Sequence, residues 1–547
     1  MMTHRILPNY NWAFVAISLS CLNIACSVET DTKKTDATQT QDGLGLELEQ
    51  LRLTEAEDTN TQTDIFETTF IAKASQHSFR MGLPTNVWSF NETIPGPLIR
   101  LTKGTQLKIK VENQLDIAFG LHISGLGPMT PIGDCVDASL LVTPQNTCTF
   151  GITLNDAGLF YYFASPESEI LMERGLAGAI HVIDSQSQNL PEDEFYMVFD
   201  DILLDTGTQI SPFDIENPLD IWEHDLNGRL GNVLLVNGNL NPRITWDLKR
   251  PMLLHLLNIS NARTLRIAST GNTLYQTGGA RGDLNGVRTW EEIPLIYVTP
   301  EIADSGIIQE GVVIGHGDVG ARPSVLSDPD EERGMIISAG QRTSFVWTPQ
   351  PTEDDKAYLE WHDSLNGTYH AFLNDGGVTY KVGYGDGWRA PRYLLTTRFT
   401  TSNAAQSWTP SEHYKDPTEQ NNIETIRVQI HDKLTDGGLP EAFQVTIEEA
   451  PTTLANGTYK LLVTNFTRTT QILQFTGATL DTLRITQEDG AEHIIPAGNI
   501  GATDTVSIIQ RKDNNTLTTA EFLLHIHDVE TLEFQSAIVS RDMKTEF

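Results

Sequence analysis

Short segments of alternating apolar and polar residues recur along the sequence, and they constrain the fold more than any other feature. Residues 106–111, 149–154 and 522–527 are examples, and turn-forming Gly, Pro, Asn and Asp residues separate such segments. An alternation with a period of two residues is typical of β-strands that bury one face, whereas no helical period persists beyond a couple of turns. The sequence therefore predicts an all-β protein of sandwich or barrel strands.

The strand-like segments fall into three blocks, and the chain of 547 residues is long enough for two to four domains. We predict folded domains at 65–188, 189–400 and 423–547. The second domain contains an acidic, Gly-rich insertion at 299–334, and a polar linker at 401–422 precedes the third.

The N-terminus carries an apolar stretch, residues 12–25, that is too short for a comfortable membrane span and predicts a signal peptide over residues 1–26. The sequence Ala-Cys-Ser at its end resembles a bacterial lipoprotein cleavage site, with Cys26 as the lipidated residue. Cys21 is a second candidate, and ordinary signal cleavage without lipidation is the alternative.

Residues 27–64 are rich in Thr, Asp, Gln and Glu and predict a disordered acidic tether. A tethered, lipid-anchored protein would contact the membrane through its anchor alone. We therefore expect an exported protein, an outer-membrane lipoprotein that faces the periplasm or the cell surface.

The charge and the cysteines narrow the partners and the redox setting. With 72 acidic and 37 basic residues the formal net charge is −35, which repels phosphates and predicts no nucleic-acid partner. Outside the signal region the chain has two cysteines, Cys135 and Cys148. An oxidising compartment favours a disulfide between them, and two free buried thiols are the alternative.

Six segments carry a more specific signal because they occur in a fixed order: 90–100, 175–184, 236–238, 256–263, 339–342 and 502–508. In that order they resemble hallmark segments of the multicopper oxidase family. Each match is weak by itself, whereas the series is specific. The resemblance implies three consecutive cupredoxin-like domains, each a Greek-key β-sandwich.

The family's chemistry requires two kinds of copper site. A type 1 copper takes electrons from the substrate and needs a cysteine thiolate, two histidines and often a methionine. A trinuclear cluster reduces oxygen and takes eight histidines from four His-x-His pairs. Residues two apart in a strand face the same way, so each pair presents two imidazoles to the cluster.

Most of these ligands are replaced in this sequence. The first pair keeps one histidine, the second and third keep none, and the fourth keeps both around an isoleucine that replaces the cysteine. The corresponding positions are, in order, His122 and Ser124, residues 161–165, residues 471–477, and His525-Ile526-His527. No cysteine follows Cys148, so a shifted alignment cannot supply the thiolate. We expect Ile526 and Phe163 to fill the space that the copper ions would occupy.

His122, His525 and His527 are the three cluster ligands that remain, and the family's fold would bring them together between the first and third domains. Three neutral imidazoles could hold one copper or zinc ion. The alternative is three hydrogen-bonded remnants without a metal, and no other cofactor is expected.

These residues favour a non-catalytic envelope scaffold or binding protein with an envelope protein as its partner. Copper-free relatives of this fold occur among bacterial cell-division and envelope proteins. The alternative is a copper-binding oxidoreductase or copper-handling protein with a reduced metal centre at His122, His525 and His527. A binder of small molecules or polysaccharides is the third possibility, which the sequence does not separate from the first.

Overall fold

The structure, a computed structural model, describes most of the chain between residues 45 and 538. Besides shorter gaps, the stretches outside the description in this range are 134–139, 211–232, 291–334, 350–357, 364–369, 383–391, 398–407, 411–422 and 509–517. The predicted signal peptide with Cys21 and Cys26, the insertion at 299–334 and most of the linker lie outside the described residues. Among the helices that are described, none is long and apolar enough to cross a membrane.

The first sandwich follows a short strand, β1 (Gly45–Glu47), and a 3-10 turn (Leu48–Leu51). Its elements are β2 (Ile65–Arg80), β3 (Leu83–Phe90), β4 (Gly96–Thr102), β5 (Gln106–Asn113), β6 (Gly120–Ile123), β7 (Gly127–Pro128), β8 (Thr130–Ile132), β9 (Thr147–Thr153), β10 (Gly158–Ser165), helix α1 (Ser168–Glu173) and β11 (Ala177–Ile183). They form two five-stranded sheets with the orders β3-β2-β5-β9-β8 and β4-β11-β10-β6-β7. Apolar side chains from both sheets make one core, as the alternating burial along β5 illustrates.

The second sandwich has larger sheets. Its strands are β12 (Glu194–Ile202), β13 (Val233–Val236), β14 (Asn239–Leu240), β15 (Arg243–Trp246), β16 (Met252–Asn258), β17 (Leu265–Thr270), β18 (Asn272–Gly279), β19 (Gly282–Trp290), β20 (Met335–Ile337), β21 (Arg342–Pro349), β22 (Tyr358–Asp363), β23 (His370–Leu373), β24 (Thr379–Val382) and β25 (Arg392–Thr397). One sheet has the order β14-β13-β12-β16-β21-β18-β19 and the other β1-β15-β25-β22-β17-β20, while β23 and β24 pair separately. Every residue of β16 is buried, so this strand lies in the middle of the packed structure.

The third sandwich consists of β26 (Thr425–Leu434), β27 (Pro440–Glu449), β28 (Gly457–Asn465), β29 (Gln471–Thr476), β30 (Ala478–Gln487), β31 (Glu492–His493), β32 (Asn499–Ile500), β33 (Val506–Ile508), β34 (Thr518–Ile526) and β35 (Glu533–Ile538). Its larger sheet runs β27-β26-β28-β34-β30-β31, with β32 also on β30, and its smaller sheet runs β33-β29-β35. Helix α1, with six residues, is the one described α-helix. The predicted all-β fold is therefore confirmed.

The prediction of a disordered tether over 27–64 is wrong for residues 45–64, which pack on the folded body. β1 pairs in parallel with β15. Further along, the Thr54 carbonyl accepts a hydrogen bond from the Leu98 N–H, and the Ala56 N–H donates to the Leu98 carbonyl. Leu51 is only 1% exposed, and its carbonyl accepts a hydrogen bond from the Asn237 side chain. The acidic composition obscured a run of closely spaced leucines that supplies the buried anchor.

A shared apolar cluster packs the first sandwich against the second. The first contributes Leu98, Leu159, Tyr161, Met172, Ala177 and Ala179, and the second contributes Tyr196, Val198, Leu257 and Ile259. At its edge the buried guanidinium of Arg342 donates from Nε to the Leu159 carbonyl at 2.5 Å and lies over the Phe160 ring. These contacts fix the two sheets face to face at that edge.

A tight turn after β13 makes a second contact between these sandwiches. Asn237 has φ +50°, and its side chain accepts a hydrogen bond from the Val198 N–H and donates to the carbonyl of Leu51. At Gly238, with φ +72°, a Cβ atom would lie 2.0 Å from the carbonyl oxygen of Ile94. The approach of the two backbones therefore requires glycine at this position.

Candidate functional site

Register along neighbouring strands gathers polar side chains where the first two sandwiches meet. In the first, His181 on β11 is the Cα partner of Arg100 on β4. In the second, Tyr196 on β12 pairs with His255 on β16, and His255 pairs with Ser344 on β21. Glu194 precedes Tyr196 by two residues and shares its face. We call His181, Glu194 and His255 the interdomain triad.

The triad is held by direct hydrogen bonds. His255 Nε2 lies 3.3 Å from Glu194 Oε2, and the His255 Nδ1 atom lies 2.8 Å from Ser344 Oγ. His181 Nδ1 lies 2.6 Å from the Tyr196 hydroxyl, which donates to Glu194 Oε2 at 3.3 Å. One ligand atom from each triad residue lies within 4.8 Å of the others, and among the described residues this is the one group of its kind.

Burial and charge set the protonation states in the triad. Burial, reinforced by the charge of His255, lowers the pKa of His181 to about 3. Burial would raise the pKa of Glu194, but its hydrogen bond with His255 and the nearby charges of His255 and Arg100 outweigh it and lower this pKa to about 2. At neutral pH the triad therefore contains an ionised carboxylate beside a neutral imidazole at His181.

A cavity of about 180 Å³ opens beside the triad. His181, Glu194, His255 and Ser344 line one part of it, and Gly158, Gly278 and Gly279 line another, where the missing side chains leave space. The arrangement provides imidazole and carboxylate donors at the wall of a space large enough for water or a small ligand.

His122, His525 and His527, the predicted metal ligands, lie outside the interdomain triad. Among the described residues they do not form a group of three ligands close enough to share one ion. His122 lies on β6 opposite Phe163 on β10, and the two rings stack with centroids 4.9 Å apart. Phe163 also contacts the Tyr161 ring at 5.6 Å. An aromatic ring thus packs against His122 where the family's second His-x-His pair would present ligands.

The last motif lies on β34 and just beyond its end. Ile526 is 4% exposed and belongs to the apolar core of the third sandwich. His525 Nδ1 lies 3.1 Å from Thr458 Oγ1, and His527 is exposed. The two histidines therefore point away from the core that Ile526 enters.

The donor set does not fit the family's copper sites. A type 1 copper requires a thiolate, and the corresponding position holds a core isoleucine. Residues 471–477, the segment that resembles the family's third His-x-His pair, lie on β29 and just beyond its end. Cys148 is buried and disulfide-bonded, in agreement with the predicted bridge, while its predicted partner Cys135 lies outside the described residues.

The interdomain triad was not predicted from the sequence, although the sequence contains a signal for it. His181 and His255 each interrupt a strongly apolar strand, in Ala-Ile-His-Val-Ile and Leu-Leu-His-Leu-Leu. A buried histidine needs a polar partner. The partner of His181 comes from the second sandwich, and the partners of His255 come from neighbouring strands of its own sandwich, so no spacing along the chain reveals them.

Comparisons with known proteins show that the fold is shared with multicopper oxidases. The multicopper oxidase family model matches residues 72–187. A solved multicopper oxidase from Campylobacter jejuni, described as a metallo-oxidase, shares the fold with a TM-score of 0.56 at 15% identity, over 89% of this chain and 91% of that chain. Residues 72–187 thus match a multicopper oxidase domain, and the resemblance predicted from the sequence is confirmed.

Two kinds of curated relatives match the chain in part. Multicopper oxidase mco from Staphylococcus epidermidis is 28% identical over 224 residues, which is 39% of this chain and 46% of the relative. Cell division protein FtsP from Proteus mirabilis is 27% identical over 268 residues, which is 48% of this chain and 50% of the relative. The chain spans about half the length of the curated relatives it matches.

The half-buried His122 ring predicts a pH dependence of stability. Burial lowers its pKa from 6.5 to about 4, so the unfolded chain binds a proton in a range where the folded chain does not. This contribution to stability is present above pH 6.5 and is lost as the pH falls to about 4. In His122→Gln the slope of unfolding free energy against pH should fall by up to about 1.4 kcal/mol per pH unit in that range. Denaturant titrations at several pH values measure the slope, and equal slopes in both proteins would refute the assignment.

Proposed function

We propose that this protein is a non-catalytic envelope scaffold or binding protein that keeps the multicopper oxidase fold without its oxidase chemistry. The observation that carries the proposal is Ile526, a core side chain at the position of the copper-binding cysteine. Without a thiolate-bound copper, single electrons have no route from a substrate into the protein.

The refilled positions support a protein retained for its shape. Phe163 packs between His122 and Tyr161, and Ile526 packs within the third core. Replacing metal ligands by well-packed apolar side chains preserves the density that a sandwich core needs. Catalysis requires polar ligands at these positions, whereas a binding surface requires only a stable body.

The partial similarity to the cell division protein FtsP supports a role in the cell envelope. The net charge of −35 suits a soluble body that meets a protein partner and not a nucleic acid. Export through the N-terminal signal, with a lipid on Cys26, would place that body at the outer membrane, on the periplasmic side or the cell surface.

Copper loading tests the absence of oxidase chemistry. After incubation with excess Cu²⁺ and removal of unbound metal, the protein should show no intense thiolate-to-copper absorption and no oxygen uptake with a phenolic substrate. A multicopper oxidase with all four His-x-His motifs, treated in the same way, is the positive control. Oxygen uptake above the rate of free copper would contradict the proposal and favour a copper-binding oxidoreductase.

The lipid anchor is tested by two matched cysteine variants. In cells fed a labelled fatty acid, the wild-type protein and Cys21→Ser should carry the label and sediment with membranes. Cys26→Ser should carry no label, because its thiol is the proposed acceptor. Label that persists in Cys26→Ser and disappears in Cys21→Ser would assign the anchor to Cys21, and an unlabelled wild-type protein would exclude lipidation.

A further inference from the structure

We propose that the interdomain triad binds one divalent transition-metal ion, with Zn²⁺ as the best match, between the first and second domains. His181 comes from β11 of the first sandwich, whereas Glu194 and His255 come from β12 and β16 of the second. Two histidines and one carboxylate form a ligand set that proteins use for zinc.

The spacing of the ligand atoms supports one shared ion. One ligand atom from each residue lies within 4.8 Å of the others. Zinc–ligand bonds of about 2.0–2.2 Å place tetrahedral ligands roughly 3.4 Å apart. Small side-chain rotations, on the order of 1 Å at each ligand atom, would therefore close the site without moving the strands.

The hydrogen bonds leave the correct imidazole nitrogen free at His181. With the Tyr196 hydroxyl proton directed to Glu194 Oε2, His181 Nδ1–H donates to the Tyr196 oxygen. The Nε2 lone pair of His181 remains for the metal, and Tyr196 is a positioning residue. An outer partner of this kind fixes the ring of a metal-bound histidine.

His255 can likewise present its Nε2 lone pair to the metal while its Nδ1 carries the proton. Without metal, its Nε2–H donates to the ionised Glu194, and its Nδ1 shares a hydrogen bond with Ser344 Oγ. With metal at Nε2, the proton would reside on Nδ1 and donate to Ser344 Oγ. A serine hydroxyl both donates and accepts, so either state keeps its hydrogen bond.

The local charge also permits a cation. The cavity is lined by one basic side chain, Arg100, and two carboxylates, Asp184 and Glu194, among the described residues. The guanidinium of Arg100 is bonded to Glu194 Oε1 and shared with Glu55 Oε1 at 3.4 Å, which leaves Glu194 Oε2 for the metal. A divalent ion therefore enters a site whose own charge is negative.

The cavity leaves the fourth coordination position open to water or a small ligand. Three protein ligands with an open position are typical of zinc sites that bind or activate a ligand. The ion would also join the two domains, because its ligands come from both. Zinc has no redox chemistry, so an occupied site is compatible with the proposed non-oxidase function and is tested separately from it.

The experiment is zinc binding to the full chain after removal of bound metal with a chelator. In equilibrium dialysis at physiological salt with excess Mg²⁺, the wild type should bind one Zn²⁺ per chain, and the midpoint of thermal unfolding should rise. His181→Gln and His255→Gln should each weaken binding by more than about 100-fold, since even loss of an outer partner costs about 10–100-fold. Tyr196→Phe should weaken it by about 10–100-fold and change the visible spectrum of bound Co²⁺.

His525 and His527, which lie outside the interdomain triad, provide the matched control. A double variant, His525→Gln with His527→Gln, should bind zinc as the wild type does. Circular dichroism of each variant in chelator establishes that it is folded, and Tyr196→Phe keeps the test valid if a histidine variant is not. The proposal is overturned by wild-type protein that takes up no stoichiometric zinc. It is also overturned by uptake that survives His181→Gln or is lost in the double variant.

Discussion

The shared apolar cluster between the first two sandwiches is the contact on which the arrangement of the other described features depends. It brings together a buried sheet from each domain, and burial on both sides makes an unpartnered polar group at its edge costly. Arg342 satisfies this requirement with the Leu159 carbonyl. The interdomain triad satisfies it through hydrogen bonds to the Tyr196 and Ser344 hydroxyls, and the same requirement holds its side chains in place for the proposed metal ion.

Under the proposed function, the third sandwich keeps its fold while a position that resembles a copper ligand belongs to the core. Along β34 successive side chains face opposite directions, so the residue between His525 and His527 enters the core. A cysteine there can bind copper, whereas Ile526 contributes apolar burial instead. At β10 an aromatic ring at Phe163 faces His122. Both replacements favour packing over ligation, and they explain why fold similarity to oxidases does not imply oxidase activity.

Local patterns predicted the strands well, because alternation and turn residues act over a few positions. The segment 233–236 is β13, and 106–111 lies within β5. The prediction failed where burial depends on another part of the chain. Residues 45–64 look like an acidic tether until Leu51 meets Asn237. His255 looks like a core residue until Glu194 on a neighbouring strand and His181 from the first sandwich come close, since contacts between distant strands are not encoded in sequence spacing.

Ile526→Cys is the most direct test of the proposal that the copper-binding position has become a core position. If Ile526 is a core residue, this substitution should lower the free energy of unfolding by about 1–3 kcal/mol, because it removes buried carbon atoms from the third core. Added copper should change neither the unfolding midpoint nor the visible absorption of the variant. The proposal would be contradicted by a variant that is as stable as the wild type. It would also be contradicted by a variant that copper stabilises and that then shows an intense thiolate-to-copper band.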